Sequence, residues 1–204
     1  MRLKKQVYQL KISLKGIKPI VWRRIQVLSN YTFWNLHVVI QEAFAWNDSH
    51  LHRFTCAKNS DATPIVIGIP LEPAFEDENF ILPGWEHEIR AYITFDSCKI
   101  EYTYGFEDNW QHGIELEEIL PIEQGITYPR CIAGQRNSPP EDCGGAFGYQ
   151  NLLMILEDPE HDEYESTREW VDSKKGPFDP EHFNPSEVKF VCPNERFMRS
   201  FEEE

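Results

Sequence analysis

The sequence predicts an α+β fold: an antiparallel sheet packed on a helix of the N-terminal half, followed by a C-terminal helical subdomain. Three observations lead there. Period-two apolar spacing dominates the first 120 residues, the mark of half-buried strands. One stretch, 32–46, instead repeats its apolar residues every three or four positions. After residue 145 helical spacing returns. Strands followed by helices, rather than strict alternation, exclude a doubly wound sheet. The sheet core is set at 1–144 and the helical part at 145–204, both in one domain.

In "QVYQLKISL" (6–14), Tyr8, Leu10, Ile12 and Leu14 share a face. "IVWRRIQV" (20–27) is β-branched and aromatic, and the Gly/Pro link between the two makes a hairpin. Thr32 is placed to cap the helix 32–46, whose stripe is Leu36, Val39, Ile40, Ala43 and Phe44. "NDS" (47–49) ends it, and 50–57 reads as a strand. Residues 59–88, with four prolines and the acids of 76–78, read as loop around a short strand at 64–69. Period two recurs at 88–96, 99–106 and 110–120, predicting three further strands, the last two joined by a turn at 107–109. Helices are predicted over 146–158 and 159–172, a turn and short helix over 178–191, and a fraying polar tail from 195.

Composition excludes several classes. No apolar run approaches the roughly 20 residues that span a bilayer. The N-terminus lacks the apolar core and cleavage site of a signal peptide, so a cytoplasmic protein is expected. The five cysteines form no CxxC and are expected as buried thiols. The net charge of −14 opposes broad nucleic-acid binding. Residues 1–30 nevertheless hold eight basic residues and no acid, leaving a basic patch as the one route to direct DNA contact. The alternative is that these side chains are solvated or pair with the acidic remainder.

Three blocks, in order along the chain, resemble the plasmid pRiA4b ORF-3-like family. The first runs from "VYQLKISLKGIKPIVWRRIQV" to "TFWNLHVVIQEAFAWNDSHLHRF", with Leu36-His37, Ile40-Gln41, Trp46 and His50-Leu51 fitting the pattern. The second is "YGFEDNWQHGIELE", matched at Tyr104, Phe106, Asp108, Trp110 and His112. Gly105 and Glu107 stand there where the family usually has Asp and Gly. The third is "YPRCIAGQRNSPPEDCGGAFGYQNLL", matched at Cys131, Gly134, Pro139 to Asp142, Gly144, Gly145, Gly148 and Tyr149. The resemblance implies an α+β fold and an unassigned activity. Some relatives carry a resolvase-type label as passengers of insertion sequences. A serine resolvase needs a nucleophilic serine among arginines and a helix-turn-helix, and neither pattern is visible here.

The candidate binding surface is Asp108, Trp110, His112, Glu141, Asp142 and Cys143. Candidate metal ligands are His50, His52, His112, Cys131 and Cys143, because imidazoles on neighbouring strands can converge on a transition metal. Ser138 stands where the family often has a further cysteine, which counts against that site. Cys143, before Gly144-Gly145 and a helix start, also fits a thiol of lowered pKa, though no nucleophile motif surrounds it. In the simplest alternative, "SPPEDCGG" (138–145) is a stiff turn whose Glu141 and Asp142 cap the next helix. The leading expectation is a non-catalytic binding or accessory protein, with a possible protein partner and no cofactor. The alternative is a metal-dependent enzyme using His50, His112 and Glu141/Asp142.

Overall fold

The computed structural model describes residues 5–57, 63–70, 81–95 and 100–201. Within them lies one eight-stranded sheet of order β5-β4-β3-β6-β7-β1-β2-β8. The strands are β1 (Val7–Leu14), β2 (Trp22–Leu28), β3 (His52–Cys56), β4 (Ile65–Gly68), β5 (Ile81–Pro83), β6 (Ile100–Tyr104), β7 (Trp110–Leu120) and β8 (Arg130–Gln135). All pairs are antiparallel except β4 with β5. Helix α1 (Phe33–Phe44) crosses one face, and α2 (Gly145–Glu157), α3 (Tyr164–Lys175) and α4 (Pro193–Phe201) follow the last strand.

The inner face of the sheet follows the predicted alternation. Tyr8, Leu10, Ile12 and Leu14 of β1 lie beside Ile25 and Val27 of β2 and Ile114 of β7, all buried against α1. The outer face is polar and self-paired. Arg24 grips Glu117 through two bonds of 2.5 and 2.7 Å, and Lys15 pairs with Glu101. Part of the N-terminal basic excess is thus answered by the acids of neighbouring strands, while residues 1–4 lie outside the described ones.

Thr32 caps α1 as predicted. Its hydroxyl accepts from the Asn35 N–H, and Asn35 Oδ1 accepts from the Thr32 N–H, a capping box with Asn in the place of Glu. Only Asn35 and Glu42 of α1 escape burial, wider than one apolar stripe requires. The reason is a second layer: α4 lies on the far side of α1, where Trp34 Nε1 donates to Pro193 O at 3.0 Å.

The structure departs from the expected elements in five places. Of the segment 88–96, the described residues 88–95 form no strand: Ile89–Ala91 is a 3-10 turn, and Ile89 donates to Tyr31 O beside the start of α1. Ile89 and Ile93, four apart, are both buried and Phe95 is 63% exposed, so the same apolar spacing served a turn. Strands β5 and β8 were not expected; β8 lacks alternation because it is a sheet edge that pairs only with β2. The Pro159–Glu163 stretch is a pair of turns, which delays α3 to Tyr164. The tail is helix α4, ordered because Phe197 and Phe201, one turn apart, both pack on Trp34 and Trp85. The acids of 76–78 and Cys98 lie outside the described residues. Cys56 is buried as expected, Cys131 and Cys143 are half-buried, Cys192 is exposed, and none of these four forms a disulfide. Among the described residues no helix is long and apolar enough to cross a membrane.

Candidate functional site

Helix α1 ends on Ala45 in the left-handed region (φ 52), with the N–H groups of Ala45 and Trp46 returned to the carbonyls of Glu42 and Gln41. This turns the chain into a six-residue loop, 45–50, that touches three distant parts of the sequence. Trp46 Nε1 donates to Pro139 O at 2.9 Å. The Asn47 N–H donates to Glu141 Oε2 at 2.8 Å, and the Tyr104 hydroxyl donates to Glu141 Oε1 at 2.5 Å. The Ser49 N–H donates to that same hydroxyl at 2.9 Å. His50 Nε2 lies 3.0 Å from Asp142 Oδ1, whose other oxygen accepts from Lys174 at 3.2 Å.

The "SPPEDCGG" turn therefore folds back onto the His50 and β6 side of the sheet. Glu141 and Asp142 do not cap α2, contrary to the capping alternative: its N-cap, Gly144, is left-handed, and no side chain bonds there. Buried Glu141 instead stabilises the loop opposite, and burial with that carboxylate raises the Tyr104 phenol well above its usual pKa. The bond donated by Lys174, followed by that of His50, lowers the Asp142 pKa. Gly145 carries a tight approach: at φ 67, an added Cβ would sit 2.3 Å from Asp108 O. Asp108 thus meets the turn through its backbone, and half-buried Cys143 packs against the core.

His112, fully buried on β7, contacts the rings of Phe44 and Trp46 edge-on, and desolvation lowers its pKa to about 3. Among the described residues its Nε2 has no hydrogen-bond partner, nor does Trp110 Nε1 beside it. Cys131 Sγ faces Ala133 O on β8 at 3.5 Å, and burial raises its pKa. The proposed ligands are thus spread over the sheet: His50 on the loop, His112 under Trp46, Cys131 at the far edge.

His52 has different company. Its ring stacks on His37 of α1, with centroids 3.5 Å apart and planes 7° from parallel. His37 Nε2 lies 2.8 Å from Asp48 Oδ1, and the candidate ligand atoms of His37, Asp48 and His52 all fall within 4.8 Å of one another. Desolvation lowers the pKa of both imidazoles, so both are neutral at pH 7. Behind them, Gln41 Nε2 donates to the Tyr102 hydroxyl, itself 2.8 Å from His37 Nδ1. Arg196 of α4 closes the group, bridging Asp48 Oδ2 at 3.3 Å and Glu42. His37, matched in the family pattern, and Asp48 are not among the expected ligands, because no fixed spacing joins a helix, a turn and a strand.

Arg23 is a second residue that sequence reasoning misplaced. Counted in the basic patch, it is in fact 1% exposed, on the inner face of β2 between Val21 and Ile25. Four bonds hold it: to Ala43 O at 2.8 Å, Trp22 O at 2.9 Å, Gln135 O at 3.1 Å and Ser138 Oγ at 2.9 Å. Phe183 lies over the guanidinium, 3.7 Å from ring centroid to Cζ, and Gly134 makes room: a Cβ there would meet Phe183 at 2.3 Å. Arg23 lines a cavity of about 290 Å3 between the end of α1, the 137–138 turn and residues 182–189. Its signal was a charge in phase with the apolar residues of a strand.

Comparison with known proteins gives concordant results. The family of plasmid pRiA4b ORF-3-like proteins matches residues 6–187. The uncharacterized protein y4hQ of Sinorhizobium fredii (strain NBRC 101917 / NGR234) is 32% identical over 168 residues, spanning 82% of this chain and 81% of the relative. The crystal structure of the protein of unknown function MM3350 from Methanosarcina mazei Go1 superposes with a TM-score of 0.82 at 42% identity. That likeness covers 91% of this chain and 99% of MM3350. With the fold, the 138–145 turn and these matches in agreement, the chain belongs to the plasmid pRiA4b ORF-3-like family.

Proposed function

We propose that the chain is a non-catalytic binding protein, of the accessory kind that the insertion-sequence label of some relatives brings to mind. One observation carries this. Both oxygens of Glu141 are engaged by Tyr104 and the Asn47 backbone. Around it, Asp142 lies between His50 and Lys174, and His112 is sealed under Trp46. Glu141 and His112 are buried and committed to holding the fold, whereas a general acid or base must reach a substrate proton. Native mass spectrometry of protein gently purified from its own host tests the reading. A stoichiometric non-covalent ligand or protein partner is expected; bare protein in repeated preparations overturns it.

A metal-binding reading is favoured by a different observation, the buried His37–Asp48–His52 group. His37 Nε2 and Asp48 Oδ1 approach to 2.8 Å, and one ligand atom from each of the three residues falls within 4.8 Å of the others, close enough to share one cation. Elemental analysis and melting with added Zn2+ or Co2+ decide it: no stoichiometric metal and no rise in Tm would end this reading.

A further inference from the structure

We propose that the cavity beside Arg23 is the seat of a small organic oxyanion, a molecule presenting a carboxylate or a phosphate group. This rests on the binding reading and names its ligand class. A buried guanidinium ordinarily has a carboxylate beside it, because removing an unpaired ion from water costs several kcal/mol. Among the described residues Arg23 has none. The oxygens it bonds are three carbonyls and one hydroxyl. The titrating groups that act on it are Cys131 and Tyr149, and burial raises both, Tyr149 to about 12, so both are neutral at pH 7. Desolvation lowers even the guanidinium, to about 10. The acids that line the same cavity are engaged elsewhere, Glu42 by Arg196 and Glu187 by His182 and Asn184.

The donors for an anion are in place. A guanidinium carries five N–H groups and four have partners here, which leaves one on the terminal nitrogen that also holds Ser138. Ser138 accepts that bond and keeps its own hydrogen to give. Phe183 covers the guanidinium face, so a ligand approaches it edge-on. Exposed Lys189 lines the cavity and forms no ion pair among the described residues, adding a second positive charge. Val188 and Ala45 give apolar wall. A volume of about 290 Å3 lies at the small end of ligand pockets, so the occupant is a molecule of few heavy atoms.

Isothermal titration and thermal melting of the full chain with inorganic phosphate, sulfate, acetate and citrate test this, the phosphate and carboxylate arms separating the two sources. Saturable one-to-one binding in at least one arm is expected, with Tm rising as ligand is added. Lys189→Glu should weaken it about tenfold while the unliganded Tm stays unchanged. Arg23→Gln should abolish it; because that change can also unfold the chain, the Lys189 variant is the deciding one. Failure of every arm, or equal affinity in Lys189→Glu and wild type, overturns the proposal. If native mass spectrometry instead retains a neutral or cationic ligand, the oxyanion is wrong and the binding reading survives. If nothing is retained and no oxyanion binds, both fall.

Discussion

The Tyr104 hydroxyl donates to Glu141 at 2.5 Å while it accepts from the Ser49 N–H, so one phenol joins strand β6, the loop after α1 and the 138–145 turn. Removing the carboxylate leaves a buried phenol and a backbone N–H without their acceptor. Glu141→Ala should therefore cost about 3 kcal/mol, since charge-assisted bonds are lost and donors are stranded. Glu141→Gln, which keeps one acceptor, should cost less. Urea unfolding of the two variants measures the difference, and equal values would contradict this account of the turn.

Acid should destabilise the protein from about pH 6.5 downward. His112 has a folded pKa of about 3 against 6.5 in the unfolded chain. Between those values the unfolded state binds the proton and the folded state does not. Stability is thus fully present above pH 6.5 and falls as pH drops, by up to about 1.4 kcal/mol per pH unit for one histidine. His37 and His52 are shifted the same way and steepen the slope. Unfolding free energy measured from pH 5 to 8 should show a shallower limb in His112→Leu than in wild type.

Gly145→Ala should be among the most damaging single changes. It adds a Cβ 2.3 Å from the Asp108 carbonyl at a position with φ 67, so the clash is with backbone and cannot be relieved by a rotamer. A loss of about 3 kcal/mol or more is expected, read as a fall in Tm and in soluble yield.

Arg196→Met should loosen α4 and leave the sheet intact. The guanidinium ties α4 to Glu42 and Asp48, and the remaining anchors are the Trp34–Pro193 bond and the Phe197 and Phe201 rings. Hydrogen exchange over residues 193–201 should accelerate at least about tenfold, for a local cost of about 1–2 kcal/mol, while β1 and β7 keep their protection.

Much of the sheet was legible in the sequence because its strands are buried on one face only. Tyr8 to Leu14 alternate cleanly for that reason, and so do Trp110 to Ile114. The misread segments lack that one-sided environment. Arg130–Gln135 is an edge with neither face sealed, and Ile89 to Ile93 bury a single side of one turn. At the site, the 138–145 turn was found because its prolines and glycines are local signals. His37, Asp48 and Arg23 were missed because their roles depend on partners that meet only after folding. Arg23 bonds to Ser138, 115 positions on.

The loop at 45–50 has a consequence for how the chain is made. Asn47 closes on a partner 94 positions later, and Asp48 on one 148 positions later. During synthesis the emerging N-terminal half can form the β1–β2 hairpin and α1, whose contacts are local. It cannot fix this hexapeptide until residues 139–142, and then Arg196, have left the ribosome. The nascent chain therefore carries an unfinished joint around buried Trp46 through most of translation. Closures of such long sequence separation are slow steps. Final consolidation of the native state is thus expected to follow release of the C-terminal helix, and a stalled chain that stops short of residue 139 should remain protease-sensitive at 45–50.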